Sequence, residues 1–205
     1  MIMSPTLEEL KAEISSDLSL PLQTNLVFGE GNPKAEVVFV GEAPGASEDE
    51  QKRPFVGRAG QLLNKLIEGI GWSRQEVYIT NIVKRRPPEN RDPLPEEIQA
   101  YEPYLRQELS IINPKVIVPL GRFSMSYFLP NGKISRDQGS VFLSGGTLIM
   151  PAYHPAAALR NPNLIKDLQD TFAKLPKLIE QHKEIMQRKL SEKEDNIPKS
   201  QRPLF

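Results

Sequence analysis

Three short apolar runs, separated by segments with helical patterning, constrain the fold of this chain more than any other feature. The runs are largely continuous rather than alternating, and they lie at residues 36–40, 77–80 and 115–120. Such runs are typical of strands buried on both faces of a parallel sheet. Parallel strands need crossover connections, and the intervening helical segments supply them. The sequence therefore predicts an α/β fold: a three-layer, doubly wound sheet with parallel core strands.

Helices and one hairpin are predicted around these strands. Thr6 followed by Glu9 is a capping-box pattern, so a first helix is predicted to begin there and to end near residue 16. Further helices are predicted at residues 58–69, 95–110, 122–129 and 163–190, and a hairpin at residues 141–150. We interpret residues 1–190 as a single domain and the polar, charged residues 191–205 as a disordered tail.

The composition excludes several kinds of site. The chain has no cysteine, which rules out disulfides, thiolate zinc sites, cysteine nucleophiles and iron–sulfur ligation by its own residues. Its two histidines are too few for a histidine-based metal site, so we expect no metal and no cofactor. No apolar run is long enough to span a membrane and no signal-peptide pattern opens the chain, so a cytoplasmic protein without a membrane partner is expected. Because 26 basic residues balance 26 acidic ones, any positive charge that binds nucleic acid must be local.

Three loops with polar or glycine-rich sequences follow predicted strands. They begin at Gly41, Asn81 and Tyr153. In doubly wound sheets, ligands bind outside the carboxyl ends of the strands, which all lie along one edge. The sequence therefore predicts that these three loops meet and form a site.

Five short motifs occupy these loops and their neighbourhood. They are GEAPG at 41–45, PFVGRAG at 54–60, TNIVK at 80–84, RPPENR at 86–91 and HPAAALR at 154–160. In order and spacing they resemble the motifs of family 4 uracil-DNA glycosylases, over roughly residues 25–165. The resemblance implies a uracil-DNA glycosylase-like fold and an enzyme that hydrolyses the N-glycosidic bond of uracil in DNA during base excision repair.

The resemblance implies that Asn81 reads the flipped-out uracil. A base that is to be excised must leave the stack and enter a pocket that recognises its Watson–Crick edge. Uracil presents an N3–H donor and an O4 acceptor, and one asparagine amide can accept from the first and donate to the second. The alternative for an isolated asparagine is an Asx turn.

Other pocket residues are also implied by the resemblance. Phe55 is expected to stack on the uracil face, and Glu48 is expected to lie beside C5, where it would exclude the methyl group of thymine. The alternatives are an ordinary core phenylalanine and a solvated loop carboxylate. Ala43 and Gly45 of the first motif are expected to line the same pocket.

His154 and Glu42 are the expected catalytic residues beside Asn81. His154 resembles the histidine that donates a hydrogen bond to uracil O2, where negative charge grows as the bond breaks. The hypothesis for Glu42, held by Asn90, is that it either orients the attacking water or stabilises the cationic sugar. Uracil glycosylases of the best-known family have an aspartate at the position of Ala43, where it helps to place the water, and an alanine cannot do this.

A group of cations is expected to contact DNA. Lys84, Arg86 and Arg91 lie in a proline-broken loop after Asn81, which favours a phosphate clamp over a merely solvated loop. Leu159 and Arg160 follow His154, and either is a candidate to enter the vacated site in the duplex.

The chain departs from the family at the four cysteines that bind an iron–sulfur cluster. By motif register those positions are Asp17, Leu20, Arg85 and Tyr101. We predict that Asp17 and Arg85 form an ion pair, with Leu20 and Tyr101 packed together beneath it. The motifs expected to carry catalysis lie outside these positions.

Two alternatives stand beside the enzyme. One is a catalytically silent protein of the same fold that binds uracil or damaged DNA, and the other is an unrelated nucleotide-binding protein, although no specific phosphate loop is present. The expected partners are uracil-containing DNA and a sliding clamp, the latter because Gln201, Leu204 and Phe205 resemble a clamp-binding peptide. A monomer is expected.

Overall fold

A computed structural model describes residues 5–144 and 146–195 of the chain. These residues form a six-stranded sheet with strands in the order β1-β3-β2-β4-β6-β5. The strands are β1 (Glu30–Gly31), β2 (Val37–Gly41), β3 (Tyr78–Asn81), β4 (Val116–Pro119), β5 (Phe142–Ser144) and β6 (Thr147–Ile149). The four central strands are parallel, and the two edge strands pair antiparallel. The predicted fold class is confirmed.

Helices cover both faces of the sheet. They are α1 (Leu7–Ser16), α2 (Ala46–Gln51), α3 (Arg58–Glu68), α4 (Pro95–Ile112), α5 (Arg122–Phe128), α6 (Ile134–Asp137), α7 (Pro155–Arg160), α8 (Leu164–Phe172), α9 (Leu175–Glu180) and α10 (His182–Asp195). Successive β2 residues serve opposite cores, as the period of a strand requires. Phe39 packs with α3, α8 and α9, whereas Val38 and Val40 pack with α1 and α4.

The start of α1 follows the predicted capping box. The Glu9 N–H donates to Thr6 Oγ1 at 3.2 Å, and the Thr6 N–H donates to Glu9 Oε2 at 2.7 Å. These two bonds satisfy backbone donors that no earlier turn can pair.

The C-terminal helical region differs from the sequence prediction. The single helix predicted at residues 163–190 is three helices, α8 to α10, and Pro176 lies in the first turn of α9, where its missing N–H is tolerated. Helix α10 continues to Asp195, so residues 191–195 are helical rather than disordered. The clamp-binding residues Gln201, Leu204 and Phe205 lie outside the described residues. Within the described part of the chain, no helix is both long enough and apolar enough to cross a bilayer.

The strand ends that precede the three predicted site loops meet at one edge. Gly41 at the end of β2 is in register with Asn81 at the end of β3. Beyond β4, Leu120 pairs with Ala152, two residues before His154. The topology therefore brings the three loops together, as their positions after parallel strands predict.

Candidate active site

A cavity of about 180 Å³ opens at these strand ends. It is lined by Ala43, Gly45, Glu48, Phe55, Ala59, Asn81, His154 and Ala156. Six of these residues are sequence-predicted site residues, whereas Ala59 and Ala156 were missed because small apolar residues carry no chemical signal. Pockets for drug-sized ligands are typically about 300–1,000 Å³, so this cavity suits something as small as a single base. We call it the strand-end pocket.

Asn81 lies at the floor of the strand-end pocket. Its side chain is buried, and within the described residues no other group forms a hydrogen bond with its amide. The neighbouring Gly41 makes this placement possible, because a Cβ there would lie 2.4 Å from Asn81 Oδ1 and 2.5 Å from Phe55 Cζ. The amide is thus held by the sheet and remains available to a ligand.

Phe55 forms one wall of the strand-end pocket. Its ring stacks on the imidazole of His154, with centroids 5.7 Å apart and planes 27° apart. The residue has a φ of +52°, a left-handed conformation that is rare for an aromatic residue. Phe55 is shielded from bulk solvent as a member of the apolar core, and it also lines the pocket; its stacking on a base stays a prediction.

Glu48 lines the strand-end pocket and also holds the Phe55 loop. Its Oε1 accepts hydrogen bonds from the N–H groups of Val56 at 3.0 Å and Gly57 at 2.8 Å. A carboxylate bonded in this way has a fixed orientation. The structure therefore adds a structural task to Glu48, while its expected contact with the base remains a prediction.

His154 caps α7 and faces the strand-end pocket. Its Nδ1 accepts a hydrogen bond from the Ala156 N–H at 3.1 Å, which leaves the proton of the neutral ring on Nε2. Burial, with a smaller contribution from the positive charge of Arg160, lowers the pKa of His154 to about 4. At neutral pH the ring is therefore an uncharged donor of fixed tautomer.

Glu42 does not bond to Asn90, and this prediction is wrong. Asn90, which has a left-handed backbone, instead accepts a hydrogen bond at Oδ1 from Arg86 Nε at 2.7 Å, so its side-chain oxygen is already occupied. The Glu42 carboxyl instead faces Asp92. Burial, and then the negative charge of Asp92, raise the pKa of Glu42 to about 7.

Asp92 and Arg122 are two residues of this region that sequence reasoning missed. They form an ion pair with 2.8 Å between Arg122 Nη2 and Asp92 Oδ2. The positive charge of Arg122 lowers the pKa of Glu42 and so opposes the effect of Asp92. Their spacing along the chain gave no signal, since 30 positions separate them.

Lys84 cannot contact DNA, so this prediction is wrong. Its side chain is completely buried and forms an ion pair with Glu108, which is equally buried. The Lys84 Nζ also donates to Thr80 Oγ1 at 2.6 Å and to the carbonyl of Asn81 at 2.8 Å. The sequence did contain an indication of this pair: on α4, the acidic Glu108 lies on the same buried face as Tyr101, Leu105 and Ile112, so it needs a buried cation.

The other residues predicted to contact DNA differ in their exposure and in whether they already bond to other side chains. Arg91 forms a two-pronged ion pair with Glu97, at 2.6 and 2.8 Å, so its charge is already compensated. Arg86 is partly exposed, and its Nε is bonded to Asn90. Leu159 and Arg160 are exposed at the end of α7, close to the strand-end pocket.

The four positions that motif register predicts for the missing cysteines lie in a second region, which we call the substituted patch: Asp17, Leu20, Arg85 and Tyr101. The predicted pair of Asp17 with Arg85 is wrong. Asp17 accepts from Tyr104 Oη at 2.5 Å and from Ser19, whereas the guanidinium of Arg85 donates to the carbonyl of Thr24. The hydroxyl of Tyr104 and the N–H and hydroxyl groups of Ser19 satisfy the carboxylate of Asp17 without a guanidinium.

Leu20 and Tyr101 are both buried in the same apolar cluster, and their direct packing against each other stays a prediction. The Tyr101 hydroxyl donates to the carbonyl of Pro21 at 2.8 Å. An iron–sulfur cluster needs thiolate ligands, and this patch presents a leucine, a phenol, a guanidinium and an occupied carboxylate. These residues do not fit such a cluster.

Comparisons with known proteins agree with this geometry. Residues 28–179 match the family model described as the uracil DNA glycosylase superfamily. The chain is 47% identical over 186 residues to the Type-4 uracil-DNA glycosylase of Sulfurisphaera tokodaii, which covers 84% of each chain. It is 43% identical to the Type-4 enzyme of Archaeoglobus fulgidus, over 84% of this chain and 93% of the relative. For the Type-4 enzyme of Thermotoga maritima the identity is 48%, over 68% of this chain and 74% of the relative.

Proposed function

The chain belongs to the uracil DNA glycosylase superfamily, and we propose that it excises uracil from DNA by hydrolysis of the N-glycosidic bond alone, leaving an abasic site. The observation that carries this proposal is the convergence of Asn81, Phe55 and His154 on one cavity of single-base size. The relatives are named as glycosylases, which does not favour a catalytically silent binder.

Recognition of the base follows from the placement of Asn81. A uracil that enters the pocket with its Watson–Crick edge toward Asn81 can donate N3–H to Oδ1 and accept at O4 from Nδ2. Cytosine presents the reverse pattern, and a buried mismatch of donors and acceptors is costly. In this proposal the ring of Phe55 covers the base face, which is supported by the presence of both Phe55 and Glu48 in the lining of the pocket.

Departure of the base is assisted by His154. As the glycosidic bond breaks, negative charge accumulates on uracil O2, and a fixed Nε2–H donor stabilises this charge more than the neutral ground state. The low pKa of His154 keeps it neutral, so it donates a hydrogen bond without delivering a full proton. Comparable donors contribute roughly 3–4 kcal/mol to transition-state stabilisation.

Glu42 acts on the sugar side of the reaction in this proposal. Either it orients the attacking water or its negative charge stabilises the cationic sugar, and both roles require the carboxylate. Its raised pKa, about 7, makes the amount of carboxylate sensitive to pH in the physiological range.

Hydrolysis without strand cleavage is supported by the absence of an amine nucleophile. Among the described residues that line the strand-end pocket there is no lysine. Lys84, the nearest in sequence to Asn81, is fully buried in its pair with Glu108. A Schiff-base mechanism needs a lysine that reaches the sugar carbon.

Contact with DNA is proposed to involve α7 and the loop after β3. Leu159 is 38% exposed and can enter the space that a flipped nucleotide leaves. Arg160 and Arg86 are exposed enough to contact phosphates, whereas Arg91 would first have to leave Glu97.

We also propose a monomeric, cytoplasmic enzyme that docks on a sliding clamp through Gln201, Leu204 and Phe205. A glutamine followed by two apolar residues can combine an anchoring hydrogen bond with the filling of an apolar pocket. Titration of a fluorescent peptide of residues 191–205 with the clamp tests this proposal. Binding that is lost on Leu204→Ala plus Phe205→Ala supports it, and absence of binding contradicts it.

The recognition proposal is tested with Asn81→Asp. An aspartate accepts from N3–H but cannot donate to O4, so we expect a lower rate on uracil and weaker discrimination against cytosine. Asn131→Asp, an exposed position with the same charge change, is the control. The measurement is single-turnover release of the base from labelled oligonucleotides containing uracil or cytosine, read out by alkaline cleavage of the strand at the abasic site. A silent binder would retain the oligonucleotide without releasing the base, and an unchanged rate and specificity in Asn81→Asp would contradict the assigned role.

A further inference from the structure

The loop that carries Phe55 is held in a conformation that its own sequence does not favour. Phe55 has a φ of +52°, and aromatic residues adopt such a backbone only where the surroundings impose it. The close approach of α3 is part of this arrangement, because a Cβ at Gly60 would lie 1.9 Å from the carbonyl oxygen of Phe55. The ring position in the strand-end pocket therefore depends on whatever fixes this loop.

Two side chains hold the loop, one through its N–H groups and one through its carbonyls. Glu48 accepts hydrogen bonds from the two N–H groups that follow Phe55. The guanidinium of Arg74 donates to the carbonyl of Pro54 at 2.5 Å and to the carbonyl of Phe55 at 3.2 Å. Arg74 was not among the residues predicted for the site.

Arg74 is itself held in place. Its Nη1 donates to Asn64 Oδ1 at 3.0 Å, and its Nε lies 3.5 Å from Glu30 Oε1. The side chain is only 15% exposed, and its burial lowers the pKa of Arg74 from its ordinary value. Glu30 also pairs with Arg53 at 2.7 Å, but the side chain of Arg53 does not bond to the loop carbonyls.

We propose that Arg74 is a positioning residue for the reaction, which sets the orientation of the Phe55 ring against the base through its bonds to the two carbonyls. This rests on the proposed function, in which Phe55 stacks on uracil. Arginine is suited to the task because its planar fork has several donors in fixed directions, whereas a lysine amine is a single rotating point charge. The residue touches neither the base nor the sugar and acts through Phe55.

Arg74→Lys is the first test, because it keeps the charge and removes the fork. A small misplacement of a reacting geometry lowers rates by about 10²-fold, so we expect a single-turnover rate lower by about 10- to 100-fold. Inhibition by free uracil should weaken in parallel, while affinity for an oligonucleotide without uracil stays unchanged. Arg53→Lys, which shares Glu30 but not the loop carbonyls, is the matched control and should leave both quantities unchanged. All assays are run well below the unfolding transition, which is measured for each variant.

A double-mutant cycle with Phe55→Leu separates positioning from general stability. If Arg74 acts through the ring, Arg74→Lys should lower the rate by less than about twofold once Phe55 is leucine. A full effect of Arg74→Lys in the Phe55→Leu background, or none in the wild-type background, would overturn the inference. A Phe55→Leu enzyme that cleaves like the wild type would instead overturn the proposed stacking role.

Discussion

The strand-end pocket and the substituted patch are built differently, although Asn81 of the pocket and Arg85 of the patch are only four positions apart in the chain. In the pocket, Gly41 and Asn81 are placed by the register of two parallel strands, and Lys84 supports the Asn81 carbonyl from below. In the patch, Asp17 and Arg85 each bond to whatever group is adjacent, namely Tyr104 and the carbonyl of Thr24. The strand register thus fixes the pocket residues, whereas the patch residues are held by side-chain hydrogen bonds to whichever groups lie nearby.

This difference indicates which regions of the protein should tolerate amino-acid substitutions. The residues around the pocket depend on one another. For example, a Cβ at Gly41 would clash with the side chains of Phe55 and Asn81. In the patch, the side chains need only to fill space and satisfy polar groups, so substitutions there should be tolerated more easily. Changes in the pocket should therefore alter the rate, and changes in the patch should alter stability alone.

The largest expected effect is a loss of stability when Lys84, which donates to the Asn81 carbonyl, is replaced. Lys84→Met leaves the Glu108 carboxylate buried without its cation, and breaking such a pair typically costs about 3–5 kcal/mol of unfolding free energy. The exposed pair of Arg106 with Glu102 is the control, since Arg106→Met should cost roughly 0–1 kcal/mol. Urea unfolding measures both. Equal losses in the two variants would mean that burial of the Lys84–Glu108 pair does not matter.

The next largest effect is on the rate. His154→Ala removes the donor to uracil O2 and should lower the single-turnover rate by about 10²–10³-fold, which is the loss seen for comparable donors. His182→Ala on α10 is the control and should cleave like the wild type. A His154→Ala variant with near wild-type turnover would place leaving-group stabilisation elsewhere.

A smaller effect concerns pH. Burial and the charge of Asp92 raise the pKa of Glu42 to about 7, so the carboxylate forms, and the rate rises, as the pH increases through 7. Asp92→Asn removes the nearby negative charge and should move the inflection of the rate to lower pH, whereas Asp170→Asn on α8 should not.

The raised pKa of Glu42 also affects the stability of the fold. Because the folded state holds this proton more tightly than the ordinary value of 4.5 implies, the contribution of Glu42 to stability decreases between about pH 4.5 and 7.

The smallest effect is expected in the substituted patch. Tyr101→Phe removes the hydrogen bond to the Pro21 carbonyl and should cost about 1 kcal/mol of unfolding free energy. The single-turnover rate should stay within twofold of the wild type, as measured on the same preparation. A large loss of rate at full folding would mean that the patch and the pocket are coupled.

The sequence predicted those features that local pattern determines. Continuous apolar runs and the loops that follow them located the parallel strands and the pocket edge, because both depend only on chain order. It failed where a partner lies far along the chain, since Lys84 pairs with a residue 24 positions away and Asp17 with one 87 positions away. Arg74 was missed for the same reason, because a guanidinium on one loop binds the carbonyls of another.

The most direct test of the central claim is uracil release by the purified protein in the presence of EDTA. The claim is that the residues of the strand-end pocket suffice for excision and that the substituted patch needs no cluster. We expect a colourless preparation, without the absorption band of an iron–sulfur cluster, that releases uracil from a labelled oligonucleotide at the same rate with and without chelator. Activity that appears only after iron and sulfide are supplied would contradict the claim.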